Sequence, residues 1–402
     1  MTNLLVLGAS ADQIPTYLEA RRLGCRTVGV DQRDDAPAVA LADEFLPVST
    51  REPEAVIERL GAVEVAGVVA PASDANQPTL RVLAEHYGTP FRPSAAALTA
   101  STDKGYFRQV VRSLGLPGYG YTQSDSPQRL LQGGERMRFP LVVKPSDSSG
   151  SKGISVVHDR EQLAGAIAAA AAASYAGTVI VEEAVAGLHC SAECLMRDGR
   201  PDFVAVSERT IKLPHLVTVS HLLPARLGTA TATRLVGMIG LVCRALEIDR
   251  GPVNFDVVVD PDGEVYLVEM GARPGGNGTP QLVSEAFGAN LVEASIRIAM
   301  GQPFRFRPRR RRAALLYILH AERDGELAAL HGTDELAGLP ELVDYQLFAT
   351  AGETVPEYTK AADKLGYLLF AGDSCGKVVQ ALTTALRSLR VDVRADGEEA
   401  AA

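Results

Sequence analysis

The sequence predicts an α/β protein built from more than one unit. Three observations point there. Short apolar runs alternate with helical spacing over residues 1–95, two apolar hairpins occupy the middle of the chain, and short strands with one closing helix follow a basic run at 305–312. At 402 residues the chain has room for roughly two to three domains of about 150 residues each. Chains of this size bury about three quarters of their unfolded surface, so the core can be large.

The first unit reads as strand, helix, strand. Asn3-Leu4-Leu5-Val6-Leu7 is a short apolar run with Gly8 behind it, the pattern of a buried parallel strand. Residues 14–23 have helical spacing and stop at Gly24. Thr27-Val28-Gly29-Val30 ends at Asp31, and Gly67-Val68-Val69-Ala70 ends at Pro71-Ala72-Ser73-Asp74. Strands alternating with helices imply a parallel, doubly wound sheet over residues 1–95.

Further along, residues 102–114 read as a helix closed by Gly115. Leu141-Val142-Val143-Lys144 and Ile154-Ser155-Val156-Val157 are strands joined by a Ser/Gly loop, Ser146 to Gly153. The uncharged stretch 163–181 is long enough to span a bilayer. Its alanine content and the Tyr175-Ala176-Gly177 turn make it an Ala-rich helix followed by a buried strand. Residues 254–259 and 265–270 form a second hairpin around Pro261-Asp262-Gly263. Residues 281–300 read as one helix, 313–393 as a C-terminal module ending in a helix over 377–389, and 394–402 as a disordered tail.

Composition removes several function classes. The chain carries 40 basic and 49 acidic residues, a net charge of −9, which argues against coating nucleic acid or an anionic membrane. The arginine-rich run at 305–312 lacks interleaved aromatics and reads as solvated surface. The five cysteines include no C-x-x-C pair, and residues 1–6 lack the positive start and length of a signal segment. Reduced thiols and a cytoplasmic setting are the expectation. Only 7 of the 40 basic residues are lysines, so each lysine is informative.

Three stretches resemble phosphate-site or nucleophile patterns. Gly8 to Gln13 lacks the second and third glycines of a dinucleotide fingerprint, although Asp31 stands near the ribose-acid position. Gly372-Asp373-Ser374-Cys375-Gly376 fits a G-x-S-x-G nucleophile elbow. However, the last histidine, His331, precedes the serine, so Ser374 reads as a helix cap. The Ser/Gly loop lies between strands rather than before a helix, and its small residues let backbone N–H groups approach an anion. Asp256 and Glu269, 13 residues apart on the second hairpin, can share one face, and Mg²⁺ takes one or two carboxylates plus nucleotide phosphates. Glu269 sits in an apolar strand, so a partner or a metal is needed.

Five ordered segments over about residues 1–300 resemble the ATP-grasp superfamily. They are Asp103-Lys104; Val143-Lys144-Pro145 with the Ser/Gly loop; Val181-Glu182-Glu183-Ala184-Val185-Ala186-Gly187; Asn254-Phe255-Asp256; and Val268-Glu269-Met270-Gly271-Ala272-Arg273. The resemblance implies a three-domain ATP-grasp architecture: an N-terminal parallel α/β domain (1–95), an ATP-grasp domain (96–304) with its lid at about 115–187, and an α+β module (313–393). Lys104 and Lys144 would hold the α- and β-phosphates of ATP, and the loop through Ser148, Ser149, Gly150, Ser151 and Gly153 would close over the β- and γ-phosphates. Glu182, with backbone groups of Glu183, Ala184 and Val185, would read adenine. Asp256 and Glu269 would bind Mg²⁺ or Mn²⁺, and Arg273, with Lys144, would serve the transferred phosphate.

The chain departs from that pattern twice. An Asn metal ligand is replaced by Gly271, leaving Asn254 or Asn277 as substitutes. The ribose position holds His189, with Glu193 as a competitor. Lys212, His215 and His221 stand where substrate-side or solvated residues are equally compatible. Residues beyond 300 resemble the C-terminal module of amino-acid ligases. The implied activity is ADP-forming ligation of a carboxylate to an amine, with a bicarbonate-activating carboxylase as the alternative. The implied partners are a small acid and amine, without nucleic acid or membrane, and a homodimer is left open.

Overall fold

A computed structural model describes residues 2–336 and 338–395. Four strands open the chain: β1 (Asn3–Leu7), β2 (Arg26–Asp31), β3 (Glu44–Pro47) and β4 (Gly67–Val69). They pair in parallel in the order β3-β2-β1-β4. Leu4 to Leu7 are fully buried, as a strand covered on both faces requires. The helix Ile14–Arg22 has proline in its first turn and ends before Gly24, whose φ of +75° suits the left-handed stop. Asp31 is no ribose acid here, because its Oδ2 accepts from the Ala9 N–H at 2.9 Å and holds the turn after β1.

The next strands form their own antiparallel sheet: β5 (Tyr121–Ser124), β6 (Leu141–Pro145), β7 (Ser155–Val157) and β8 (Val179–Glu183), in the order β5-β8-β6-β7. Two helices cover it, Pro127–Gly134 and Arg160–Ala173, capped by the side chains of Ser126 and Asp159. Stretch 163–181 is thus helix, turn and buried strand, and no described helix is long and apolar enough to cross a membrane. The helix expected from Thr102 starts at Lys104. Asp103 accepts from the N–H groups of Gly105 and Tyr106, which ends the preceding helix, Ala95–Thr102, and begins Lys104–Ser113.

The remaining strands are β9 (Leu188–Arg197), β10 (Arg200–Lys212), β11 (Val217–Leu223), β12 (Gly251–Val259), β13 (Val265–Gly271), β14 (Ala313–Leu319), β15 (Gly325–His331), β16 (Leu342–Leu347), β17 (Thr354–Val355), β18 (Gly366–Gly372) and β19 (Arg390–Arg394). Eight of them make one antiparallel sheet, β13-β12-β9-β10-β11-β14-β18-β16. This sheet runs across the basic segment: β14 pairs with β11 through Ser220 and Tyr317, so the C-terminal strands extend the central sheet. Arg310 and Arg312 on that segment pair with Glu285 at the surface. β15, β17 and β19 form a smaller sheet. β19 reaches Arg394, which the expected tail included. Beyond Ala395 that tail lies outside the described residues.

Residues 281–300 hold two helices rather than one, Thr279–Phe287 and Leu291–Ala299. Gly288 takes φ +64° at the first stop and Asn290 caps the second helix. Ser374 caps the helix Cys375–Ser388, accepting from the Lys377 N–H at 3.3 Å. All five cysteines are free.

Candidate active site

A cleft opens where the parallel sheet, the β5–β8 sheet and the eight-stranded sheet meet. Its walls include Asp12 and Asp74 from the first unit and Lys144, Ser149, Gly150 and Ser151 from the small sheet. His189, Arg209, His221, Asp256, Glu269 and Arg273 come from the large sheet and the loop after it. The register of β12 and β13 sets Asp256 directly opposite Glu269. Residues paired in register share a face, so the two carboxylates point to the same side of the sheet.

Each charged group in or beside the cleft has an opposite partner. Lys104, on the first turn of its helix, reaches Glu269 Oε1 at 3.3 Å and donates to the Ser148 carbonyl at 2.5 Å. Lys144 on β6 pairs with Glu182 on the adjacent β8, and Arg108 donates to the other Glu182 oxygen at 3.0 Å. Asp256 pairs with Arg209 at 2.5 Å. Arg273 pairs with Asp74. Lys144, Glu182 and Arg108 are all buried. Burial pushes the Lys144 ammonium below the usual lysine range, while Glu182 pulls it back. For Glu182 the two cations outweigh burial and hold its carboxyl below the usual range. Ion pairs packed this closely keep the side chains in one geometry.

These contacts revise several expected roles. Both Glu182 oxygens face cations, so this side chain anchors Lys144 and Arg108 rather than offering a free acceptor to adenine. The Glu183 N–H donates to the Gly120 carbonyl at 2.9 Å and the Ala184 N–H to Pro140 at 3.0 Å. Of the N–H groups at these three hinge residues, that of Val185 alone has no acceptor among the described residues. In the Ser/Gly loop, Ser149, Gly150 and Ser151 line the cleft. Ser148 turns its carbonyl to Lys104. Gly153, at φ +73°, packs so that a Cβ would fall 2.5 Å from Ala173 Cβ.

Of the substitutes for the missing Asn ligand, Asn277 has its oxygen engaged: Asn277 Oδ1 accepts from Lys364 Nζ at 3.0 Å. Asn254 is held through its nitrogen, Nδ2 donating to Ser191 at 3.0 Å and Glu193 at 2.7 Å. Glu193 is buried, and it accepts from Thr279 Oγ1 at 2.7 Å and from the Gly275 N–H at 3.1 Å. It therefore holds the glycine-rich loop and is no ribose acid. His189 lines the cleft, and burial together with Arg209 holds its imidazole below the usual range, so it is neutral at pH 7. His221 also lines the cleft, with Nδ1 3.1 Å from Ser207 Oγ and its pKa pushed down to about 3, chiefly by burial. His215 Nδ1 sits 3.1 Å from the Ile154 carbonyl. Lys212 lies away from the cleft and pairs with Glu322 at 2.7 Å.

Arg108, Arg209 and Asp74 were missed in the sequence. Arg108 stands four residues after Lys104, which puts both on one helix face, a signal that was there to read. Asp74 follows a parallel strand, where α/β sheets collect ligands. Arg209 lies mid-strand with no local signature.

Asp256 and Glu269 are the oxygen donors that the hairpin offers to Mg²⁺. No group of three or more His, Cys, Asp and Glu that could hold a metal exists among the described residues. Two carboxylates in register suit a hard cation that takes its other oxygens from phosphates and water. The buried lysines beside them suit those phosphates.

Residues 137–281 match the ATP-grasp domain family, and residues 317–394 match the L-amino acid ligase C-terminal domain 2. The chain therefore carries a segment that matches an ATP-grasp domain, followed by a segment that matches an L-amino acid ligase C-terminal domain. Among relatives, the Sinorhizobium fredii protein y4rH is 27% identical over 86% of this chain and 73% of its own. Among solved structures, L-amino acid ligase from Bacillus licheniformis superimposes with a TM-score of 0.86 at 21% identity, over 98% of this chain and 99% of that one. The biotin carboxylase domain of Hydrogenobacter thermophilus 2-oxoglutarate carboxylase, solved with MgADP and bicarbonate, gives 0.77 at 16% identity, over 98% and 91%. At these identities the two superpositions establish the shared fold.

Proposed function

We propose that this chain joins a carboxylate, an amino acid or related acid, to an amine, forming ADP through an acyl phosphate. The observation that carries the reading is the in-register pair Asp256 and Glu269, in a cleft lined by Lys144 and Arg273, with Lys104 paired to Glu269. Phosphoryl transfer needs mainly positioning and charge neutralisation. Lys104 and Lys144, held by Glu269 and Glu182, present ammonium groups to phosphate oxygens. Bound Mg²⁺, held by Asp256 and Glu269, would neutralise phosphate charge. Arg273 offers its guanidinium to the phosphate being transferred. The Gly150 carbonyl accepts from the Ala361 N–H at 2.9 Å, so the Ser/Gly loop and the C-terminal segment meet over the cleft and shield a water-sensitive intermediate.

The C-terminal domain match favours an amino-acid substrate over bicarbonate. Bicarbonate activation is the second reading, supported by the fold shared with a biotin carboxylase domain. The test is ADP release from Mg-ATP with amino acids singly and in pairs, and with bicarbonate. Release that needs two amino acids supports the ligase, and product mass identifies the bond. Release with bicarbonate alone replaces it with the carboxylase.

A further inference from the structure

Asp74 is the acidic residue that the first unit places against Arg273. It is buried, and its Oδ2 faces the Arg273 guanidinium. Among the described residues its Oδ1 has no hydrogen-bond donor, and neither has Arg273 Nε an acceptor. A buried carboxylate oxygen without a donor has lost water and gained nothing in return. Such an atom in a native site calls for a ligand donor.

Residue 271 bears on the same atoms. A Cβ on Gly271 would lie 2.7 Å from Asp74 Oδ1 and 3.3 Å from Arg273 Nε. Glycine here keeps both unpartnered atoms clear of a side chain. Burial and the charge of Glu269 raise the Asp74 carboxyl above its usual range, against the pull of Arg273 and Lys104. A donor arriving at Oδ1 would replace the water lost there. The position also fits the fold, since Asp74 follows the carboxyl end of β4, where open α/β sheets collect ligands.

We propose that Asp74 Oδ1 receives the ammonium group of the amine substrate, so that the first unit selects the amine while the large sheet handles the acid and ATP. This inference rests on the ligase reading above. It makes Asp74 a substrate-binding residue whose loss falls on the amine alone.

The test compares two nucleophiles in wild type, Asp74→Asn and Asp74→Glu, with Mg-ATP and the acid found in the panel above. Hydroxylamine is uncharged at neutral pH, needs no seat for an ammonium, and traps an acyl phosphate as a hydroxamate. The expected result for Asp74→Asn, whose amide oxygen can still accept from Arg273, is an amine KM raised at least tenfold more than the hydroxylamine KM. Asp74→Glu, which keeps the charge, should recover part of the amine KM. Equal loss of amide and hydroxamate would overturn the inference, because Asp74 would then act only by holding Arg273. An unchanged amine KM would overturn it as well. Failure of the wild type to form any hydroxamate would instead overturn the ligase reading, and this inference with it.

Discussion

Lys144 and Glu182 form a buried ion pair between the adjacent strands β6 and β8, and Arg108 closes the group from the helix Lys104–Ser113. The lysine proposed to face phosphate is thus fixed by a carboxylate that the resemblance had assigned to adenine. Removing that carboxylate leaves two buried cations beside each other. Glu182→Ala is expected to cost about 3–5 kcal/mol, the range for breaking a buried pair from one side. Urea unfolding checks this. A loss under about 1 kcal/mol would show that the pair is exposed in solution.

Asp256 and Glu269 should be dispensable for folding and required for turnover. Each is paired with a cation at the edge of an open cleft, Arg209 and Lys104 respectively, so amide replacements keep shape and lose charge. Asp256→Asn and Glu269→Gln are expected to lower Mg-ATP turnover on the order of 100-fold or more while leaving circular dichroism unchanged. Near-normal turnover in either variant would displace the metal site from this hairpin.

Restoring the family's asparagine should not help. A Cβ at 271 meets Asp74 Oδ1 at 2.7 Å and Arg273 at 3.1 Å. Gly271→Asn is therefore expected to cost about 1–3 kcal/mol through overpacking, and to lower turnover by displacing Arg273. A variant as stable and as active as wild type would show that the Asp74–Arg273 pair yields easily.

How much of this was legible in sequence depends on the range of the signal. The Asp256–Glu269 hairpin was readable because a Pro-Asp-Gly turn and two apolar strands fix the register locally. The cap at Ser374 was readable for the same reason. The break at Gly288 was present but was outweighed by helical spacing on either side. Arg209 and Asp74 were not readable as partners of Asp256 and Arg273. They lie 47 and 199 residues away in the chain, and only the folded sheets bring them together. The engagement of Glu182 by Lys144 likewise depends on β6 and β8 being neighbours, which no local pattern encodes.

His221 gives the apoprotein an acid-sensitive core. Its pKa falls from 6.5 to about 3 on folding because burial disfavours the imidazolium. Below pH 6.5 the unfolded chain binds a proton that the native chain refuses. Stability is therefore fully present above about pH 6.5 and declines as pH falls towards 3. The slope from this one group is about 1.4 kcal/mol per pH unit. Tm measured from pH 7 to pH 4, without nucleotide or metal, should fall more steeply for wild type than for His221→Asn. Parallel curves would mean that the imidazole is reached by water.

Ser374 separates the ligase from the hydrolase that G-x-S-x-G suggests. Its hydroxyl accepts from the Lys377 N–H at the start of the helix Cys375–Ser388, and the neighbouring Lys377 ammonium pairs with Asp373 at 2.8 Å. None of the histidines forms a hydrogen bond with Ser374 among the described residues. Ser374→Ala should cost about 1 kcal/mol, the usual value of an N-cap, and leave amine-dependent ADP release unchanged. A large loss of turnover at near-native stability would move the chemistry to the last helix, where the carboxylate pair, the buried lysines and Arg273 would have no part in it.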